Sequence, residues 1–210
     1  DEAKDAAGIL GRGHKQIYVN HIKTPSDAIA LRDSFGGQLG KAIECYGRDF
    51  DPQRPGENWY QGINYIALLK RAQRDRIPAD AKADPDTMAK GMIAALEPKA
   101  VPDTDDPWLL ASVGEAYLAL GDLPNAAKYF GLYTNHRQIN AFHLNGTVRQ
   151  LEEVWQLTAT AKEAGAILTN MKAALAQKLM QKLYVFIWHL WWINALTIGL
   201  QFVRGTPLGK

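Results

Sequence analysis

The chain has 210 residues, of which 47% are hydrophobic and 22% are charged, and its formal net charge is +2. These apolar residues suffice for the core of one helical domain with an appendage, but scarcely for two independent hydrophobic cores. The near-neutral charge gives no strong field for binding nucleic acid or an acidic substrate. The single cysteine, Cys45, excludes an internal disulfide framework and a cysteine-based zinc site.

Helix caps and apolar spacing predict an all-α protein. Oxygen-bearing caps followed by proline occur at Thr24-Pro25, Asp84-Pro85 and Asp106-Pro107, and Thr147-x-x-Gln150 is typical of a capping box. The predicted helices lie near residues 3–20, 26–34, 38–49, 58–73, 85–97, 107–120, 123–133 and 147–157. Strand-like patterning is confined to the ambiguous stretch 16–22, so we expect no sheet.

A glycine followed three residues later by a ring recurs along the chain. The pairs are Gly11 with His14, Gly62 with Tyr65 and Gly114 with Tyr117, so the glycines are 51 (62 − 11) and 52 (114 − 62) residues apart. This spacing predicts an internal repeat. Because a tetratricopeptide unit has about 34 residues, the excess is expected in insertions near 24–40 and 75–84.

The third unit carries the most specific pattern. Its residues are Leu110, Val113, Gly114, Tyr117, Ala126 and Phe130, at the positions that a tetratricopeptide helix-turn-helix requires. Gly114 permits close approach of two helices, and Phe130 packs into the core between repeats. Gly121 is predicted to end the first helix and Pro124 to open the second.

These elements resemble a known family over residues 7–157. The block Tyr60-Gln61-Gly62-Ile63-Asn64-Tyr65, together with Ala42-Ile43-Glu44-Cys45-Tyr46, is similar to the tetratricopeptide region called the TRAF-binding domain. That region occurs in the apoptosis signal-regulating kinases and in many bacterial proteins. The resemblance implies a tetratricopeptide-like helical-hairpin solenoid that holds partner proteins and has no catalysis of its own. No kinase signature is present in the sequence.

A partner-binding groove is expected on the inner helices of such repeats. The helical positions that flank the three glycines face a concave groove in this architecture. They are Arg12, Lys15 and Gln16 in the first unit, Trp59 and Ile63 in the second, and Trp108 and Glu115 in the third. The alternative for Trp59 and Trp108 is simple packing between repeats.

The second informative feature is the uncharged segment 183–203, LYVFIWHLWWINALTIGLQFV. As a helix, its 21 residues (203 − 183 + 1) would reach about 30 Å, the thickness of a bilayer core. His189, Asn194 and Gln201 lie on one side of such a helix, within an arc of about 140° at 100° per residue. Trp188, Trp191 and Trp192 lie mid-segment, unlike an interfacial aromatic belt. The segment therefore spans a membrane, lies at its surface, docks on a membrane-protein complex, or packs as a buried or oligomeric helix. Residues 158–182 are expected to form a helical stalk, and 204–210 a tail.

The sequence contains no clear motif for catalysis, metal binding or phosphate binding. The five histidines lack metal-ligand spacing, and Gly8-x-x-Gly11-x-Gly13 lacks the strand and lysine of a phosphate loop. The sequence predicts no catalytic residue, no cofactor, no metal and no nucleic-acid partner, so the protein is not expected to be an enzyme.

The favoured function is an adaptor, with residues 1–157 as a scaffold that binds other proteins. Its C-terminal helix would hold it at a membrane with the scaffold on the cytoplasmic side; the alternative location is the cytoplasm. The alternative function is a structural subunit of a membrane assembly, in which residues 183–203 make the main contacts.

Overall fold

The computed structural model describes the backbone of residues 2–79, 84–158 and 162–205. Side chains are described within these ranges for residues 6–181 and for Leu183, Tyr184 and Trp188. These parts of the chain contain helices and no strand, so the all-α prediction is confirmed.

Nine α-helices follow one another in the described ranges. They are α1 (Glu2–His21), α2 (Pro25–Ala30), α3 (Arg32–Gly47), α4 (Trp59–Asp75), α5 (Pro85–Leu96), α6 (Trp108–Leu120), α7 (Leu123–Asn135), α8 (Ala141–Arg149) and α9 (Lys162–Gly205). A 3₁₀ turn, Glu97–Lys99, follows α5, and a π-helical turn, Gln150–Val154, follows α8. Helices pack mainly on near neighbours along the chain: α1 on α3, α3 on α4, α5 on α6, and α6 on α7.

The caps explain most of the helix boundaries. The Thr24 side chain accepts a hydrogen bond from the Asp27 amide, and Asp84 accepts from the amides of Asp86 and Thr87. Gly121 ends α6 in the left-handed conformation, at φ 75°, which a residue with a side chain rarely adopts. The predicted stop at Gly121 is therefore confirmed.

Each repeat glycine packs against an aromatic side chain of another helix or its flanking loop. A Cβ on Gly11 would lie 2.9 Å from the Tyr46 ring, and one on Gly62 would collide with the Phe50 ring. At Gly114 the added Cβ would lie 3.2 Å from the ring of Phe130. Each of the three glycines thus lies where a neighbouring aromatic ring leaves little or no room for a Cβ.

Two predicted boundaries were wrong. The helix predicted at 38–49 begins earlier, since α3 starts at Arg32 and continues through Gly36, Gly37 and Gly40. The helix predicted at 147–157 begins earlier, because Asn140 is the cap and accepts from the amides of Phe142 and His143. Thr147 instead lies inside α8, where its hydroxyl donates to the Tyr133 hydroxyl at 3.0 Å.

The last helix, α9, is one continuous helix of 44 residues that includes most of the predicted stalk and hydrophobic segment. Its first part packs on α7 and α8 through Ile167, Leu168 and Met171, which are buried. In the part of the chain whose side chains are described, no helix combines the length and hydropathy needed to cross a membrane. Segment 183–203 lies mostly outside that part, so its membrane role stays a prediction.

Candidate functional site

The candidate site is the inner face, which we define as the surface formed by Lys15 on α1, Asn64 on α4 and Glu115 on α6. Lys15 Nζ donates to Asn64 Oδ1 at 3.2 Å, which links α1 and α4. Glu115 lies on α6 and is 7% exposed. Three of the predicted inner helices therefore contribute polar groups to one surface.

The chain covers this surface with its own residues 149–156, which we call the closing segment. Lys15 Nζ donates to Gln150 Oε1 at 3.0 Å, and Gln150 Nε2 donates to Glu115 Oε2 at 3.1 Å. The indole N–H of Trp155 donates to the same Glu115 oxygen at 2.7 Å. Glu115 thus accepts two N–H donors from the closing segment.

The edge of the inner face contacts the closing segment as well. Arg149 Nη2 donates to Gln16 Oε1 at 2.8 Å, and Gln16 Nε2 donates to Glu153 Oε2 at 3.4 Å. Gln156 Nε2 donates to the Lys23 carbonyl at 3.2 Å, just beyond the end of α1. The closing segment therefore makes hydrogen bonds along α1 from its middle to beyond its end.

Burial changes the ionisation of the two charged groups in this network. It lowers the pKa of Lys15 to about 8, against the weaker opposing effect of Glu115. Burial also raises the pKa of Glu115, which the hydrogen bonds from Trp155 and Gln150 partly offset. Both charges are therefore costly where they lie, and the closing segment supplies donors and acceptors that reduce this cost.

A second buried cluster fixes the far side of the closing segment. Arg71 on α4 is 0% exposed and pairs with Asp75 through Nε at 2.5 Å. Its other nitrogens donate to the carbonyls of Ile22, just after α1, and Glu153. One guanidinium thus joins the end of α1, α4 and the closing segment. The Tyr18 hydroxyl donates to Asp75 Oδ2 at 2.6 Å.

The other four predicted groove residues are Arg12, Trp59, Ile63 and Trp108. Arg12 is exposed and its Nη2 donates to the Tyr60 hydroxyl at 3.3 Å. Ile63 is a core residue at 3% exposure. Trp59 and Trp108 are half-buried against the core, and the Trp108 ring lies 5.7 Å from that of Tyr133. Of the seven predicted residues, the structure brings Lys15, Gln16 and Glu115 together and leaves Arg12 at an open edge.

The predicted docking residues lie on α9. Trp188 is exposed, whereas the side chains of His189, Trp191, Trp192, Asn194 and Gln201 fall outside the described residues. Large hydrophobic side chains are also exposed next to Trp188, at Leu179, Met180, Leu183 and Tyr184.

Several important residues were not predicted. Arg71 and Asp75 could have been noticed, because their i,i+4 spacing on a helix allows an ion pair. Gln150 and Trp155 carry no local signal, since their partner Glu115 lies 35 and 40 residues away. Among the described side chains, no group of three or more His, Cys, Asp or Glu residues could hold a metal ion.

The arrangement is suited to holding a helical segment. Side chains from three helices bond to the closing segment, namely Lys15 on α1, Arg71 on α4 and Glu115 on α6. Comparison of the chain with protein-family models, curated proteins and solved structures yields no significant match.

Proposed function

We propose that the chain is a non-catalytic scaffold that binds other proteins and is held at a membrane or a membrane-protein complex by the end of α9. The repeated packing of Gly11, Gly62 and Gly114 against aromatic rings supports a tetratricopeptide-like solenoid in residues 1–157. The sequence resemblance of residues 7–157 to TRAF-binding domains, if it reflects a shared function, implies the same role.

The observation that carries the proposal is the change along α9. Ile167, Leu168 and Met171 are buried against α7 and α8, whereas Leu183 and Tyr184, further along the same helix, are 50% and 72% exposed. A long apolar stretch beyond a packed domain is typical of a site for lipid or protein contact. The uncharged sequence continues to residue 203.

Partner binding is proposed for the open edge of the inner face. Arg12 and Tyr60 are exposed there and are joined by a hydrogen bond of 3.3 Å. Trp59 lies beside Tyr60, with ring centroids 6.3 Å apart. Arginine and aromatic side chains are enriched in protein–protein interfaces, so this edge has a suitable composition.

One observation favours the alternative, a structural subunit of a membrane assembly. Lys15, Gln16 and Glu115 are already bonded to the closing segment, so a partner would find much of the inner face occupied. In that case α9 would make the main contacts and the repeats would cover a surface.

Site-specific photo-crosslinking in cells distinguishes these functions. A crosslinking residue is placed at Arg12, at Trp188, or at Glu44, which is exposed on α3 and serves as the control. An adaptor gives specific protein adducts at Arg12, a structural subunit gives them only at Trp188, and neither gives them at Glu44. Absence of adducts and of lipid crosslinks at Arg12 and Trp188 would contradict both functions.

A further inference from the structure

The closing segment resembles a bound ligand in how it is held. Its contacts with the inner face come from side chains: Gln150 and Trp155 reach Glu115, and Lys15 reaches Gln150. Its backbone carbonyls at Glu153 and Val154 accept from Arg71 and Arg74, two side chains of α4. A separate helical peptide with the same side chains could make the same bonds.

Its backbone is also less regular than that of the helices around it. Gln150–Val154 is a π-helical turn, a form that is rare and occurs frequently at functional sites. Gln156, which follows it, has a φ of 55° in the left-handed region. A residue with a side chain is held in that conformation only by its surroundings, so the closing segment is bound under strain.

The occupied surface needs a polar partner. If the closing segment left, Glu115 would lose its donors Gln150 and Trp155, and Lys15 would lose its acceptor Gln150. Both groups would then have to bind water. Two apolar side chains of the closing segment are buried beside these hydrogen bonds: Leu151 is 0% exposed and Val154 is 1% exposed. The complement of the inner face is therefore an amphipathic helix with amide and indole N–H donors beside its apolar residues.

We infer that the closing segment is an internal ligand, and that the inner face binds the amphipathic helix of a partner in competition with it. This inference rests on the proposed scaffold function and names the class of partner. The tethered segment has a high effective concentration, on the order of millimolar for short linkers. It therefore keeps the inner face closed until a better-matched helix replaces it.

The test uses a fluorescent synthetic peptide of residues 141–157 and the full-length chain. The double variant Gln150→Ala/Trp155→Phe removes the N–H donors to Glu115 and weakens the internal ligand while retaining an aromatic ring. We expect the peptide to bind this variant about tenfold more tightly than the wild-type chain, because two hydrogen bonds favour the added peptide. A peptide with the same two replacements is the matched control and should lose this gain.

Equal binding of the peptide to both chains, or equal binding of both peptides to the variant, would overturn the inference. Hydrogen exchange on the wild-type chain decides the matter if the double variant does not fold. The amides of residues 150–156 should exchange through local opening, faster than those in the middle of α4 and α6. Exchange of all three only through global unfolding would show that the closing segment is a permanent part of the core.

The outcome is separable from that of the crosslinking experiment. Adducts at Arg12 with no gain in peptide binding would leave the scaffold function standing and remove the internal ligand. A gain in peptide binding with no adducts at Arg12 would support competition by the closing segment and contradict partner binding at the open edge.

Discussion

Because the side chain of Gly114 is a single hydrogen atom, α6 and α7 can pack closely at this position. The ring of Phe130 lies so near that even a methyl group at this position would be only 3.2 Å from it. Gly114→Leu should destabilise the protein by about 1–3 kcal/mol, because the helices must separate or distort to accommodate the larger side chain. Denaturant unfolding followed by circular dichroism would measure the loss.

Gly146 provides the matched control for this substitution. It lies on α8, is exposed, and has no atom within 4 Å of the place where its Cβ would lie. Gly146→Leu should leave stability unchanged or raise it slightly, since leucine favours helix more than glycine does. Equal midpoints for both variants would mean that the contact between α6 and α7 is looser than the structure indicates.

Lys15 should give the protein a distinctive alkaline stability profile. Its pKa is lowered by burial to about 8 in the folded state, from 10.5 in the unfolded chain, so between these values the unfolded state binds more protons. The free energy of unfolding should therefore rise with pH across this window, by up to about 1.4 kcal/mol per unit from this group. Below pH 8 both states are protonated, and Lys15 adds no slope.

Urea unfolding at intervals from pH 7.5 to 9.5 would test this, with Lys15→Met as the comparison. Tyrosines with raised pKa values, including Tyr18 and Tyr133, begin to ionise in the unfolded chain as the pH approaches their ordinary pKa of 10.0. They lower stability toward the top of this window in both chains alike, so the comparison removes their effect. The wild-type chain should gain stability relative to Lys15→Met as pH rises. Parallel profiles would show that the Lys15 ammonium is better solvated than its contacts with Asn64 and Gln150 suggest.

The inner face was predictable at single positions but not as a network. The spacing from each glycine predicted Lys15 and Glu115 for one groove, because helical periodicity fixes which side chains share a face. In the structure both residues bond to Gln150. The spacing could not reveal that Gln150 and Trp155 cover them, since those contacts join residues 135, 35 and 40 positions apart. Long-range pairing of this kind leaves no local pattern in one sequence.

At the scale of elements, caps were the most dependable signal. Thr24, Asp84 and Gly121 act locally, so the helix boundaries they predict agree with the structure. The start of α8 was missed because Thr147 also fits the capping pattern. Its hydroxyl is used instead for tertiary contact with Tyr133, while Asn140 performs the capping.

Asn140→Ala should therefore destabilise the protein by about 1 kcal/mol, since the amides of Phe142 and His143 lose their acceptor. Asn145→Ala is the control, because Asn145 is exposed in the middle of the same helix. Thermal unfolding of both variants would give the comparison. A larger loss for Asn145→Ala would place the start of α8 elsewhere.

At the scale of the molecule, the chain combines a packed helical body with a helix that continues beyond it. The 44 residues of α9 extend about 66 Å at the standard helical rise. The ion pair between Lys172 and Glu152, at 2.6 Å, joins the packed part of α9 to the closing segment. The far part of α9, from Leu183 onward, is therefore continuous with the part that contacts the closing segment.

We predict that the part of α9 from Leu183 onward determines whether the protein is found at a membrane. Deletion from Leu183 onward should leave a folded, soluble body, because Ile167, Leu168 and Met171 keep their contacts with α7 and α8. The full chain should sediment with membranes, since burying its apolar surface is favourable by about 25 cal/mol per Å². Fractionation with and without a carbonate wash would measure this for both chains.

A pair of point variants in the full chain sharpens the experiment. Trp188→Glu places a charge among exposed apolar residues and should move the protein toward the soluble fraction, because a charge is expensive to bury in lipid or in an apolar interface. Gln181→Glu adds the same charge at an exposed polar position of α9 and should change little. If the full-length chain stays soluble as a monomer, neither a membrane nor a partner complex holds it. The far part of α9 must then fold back on the body, and its exposed side chains at Leu183 and Tyr184 would be covered from within the same molecule.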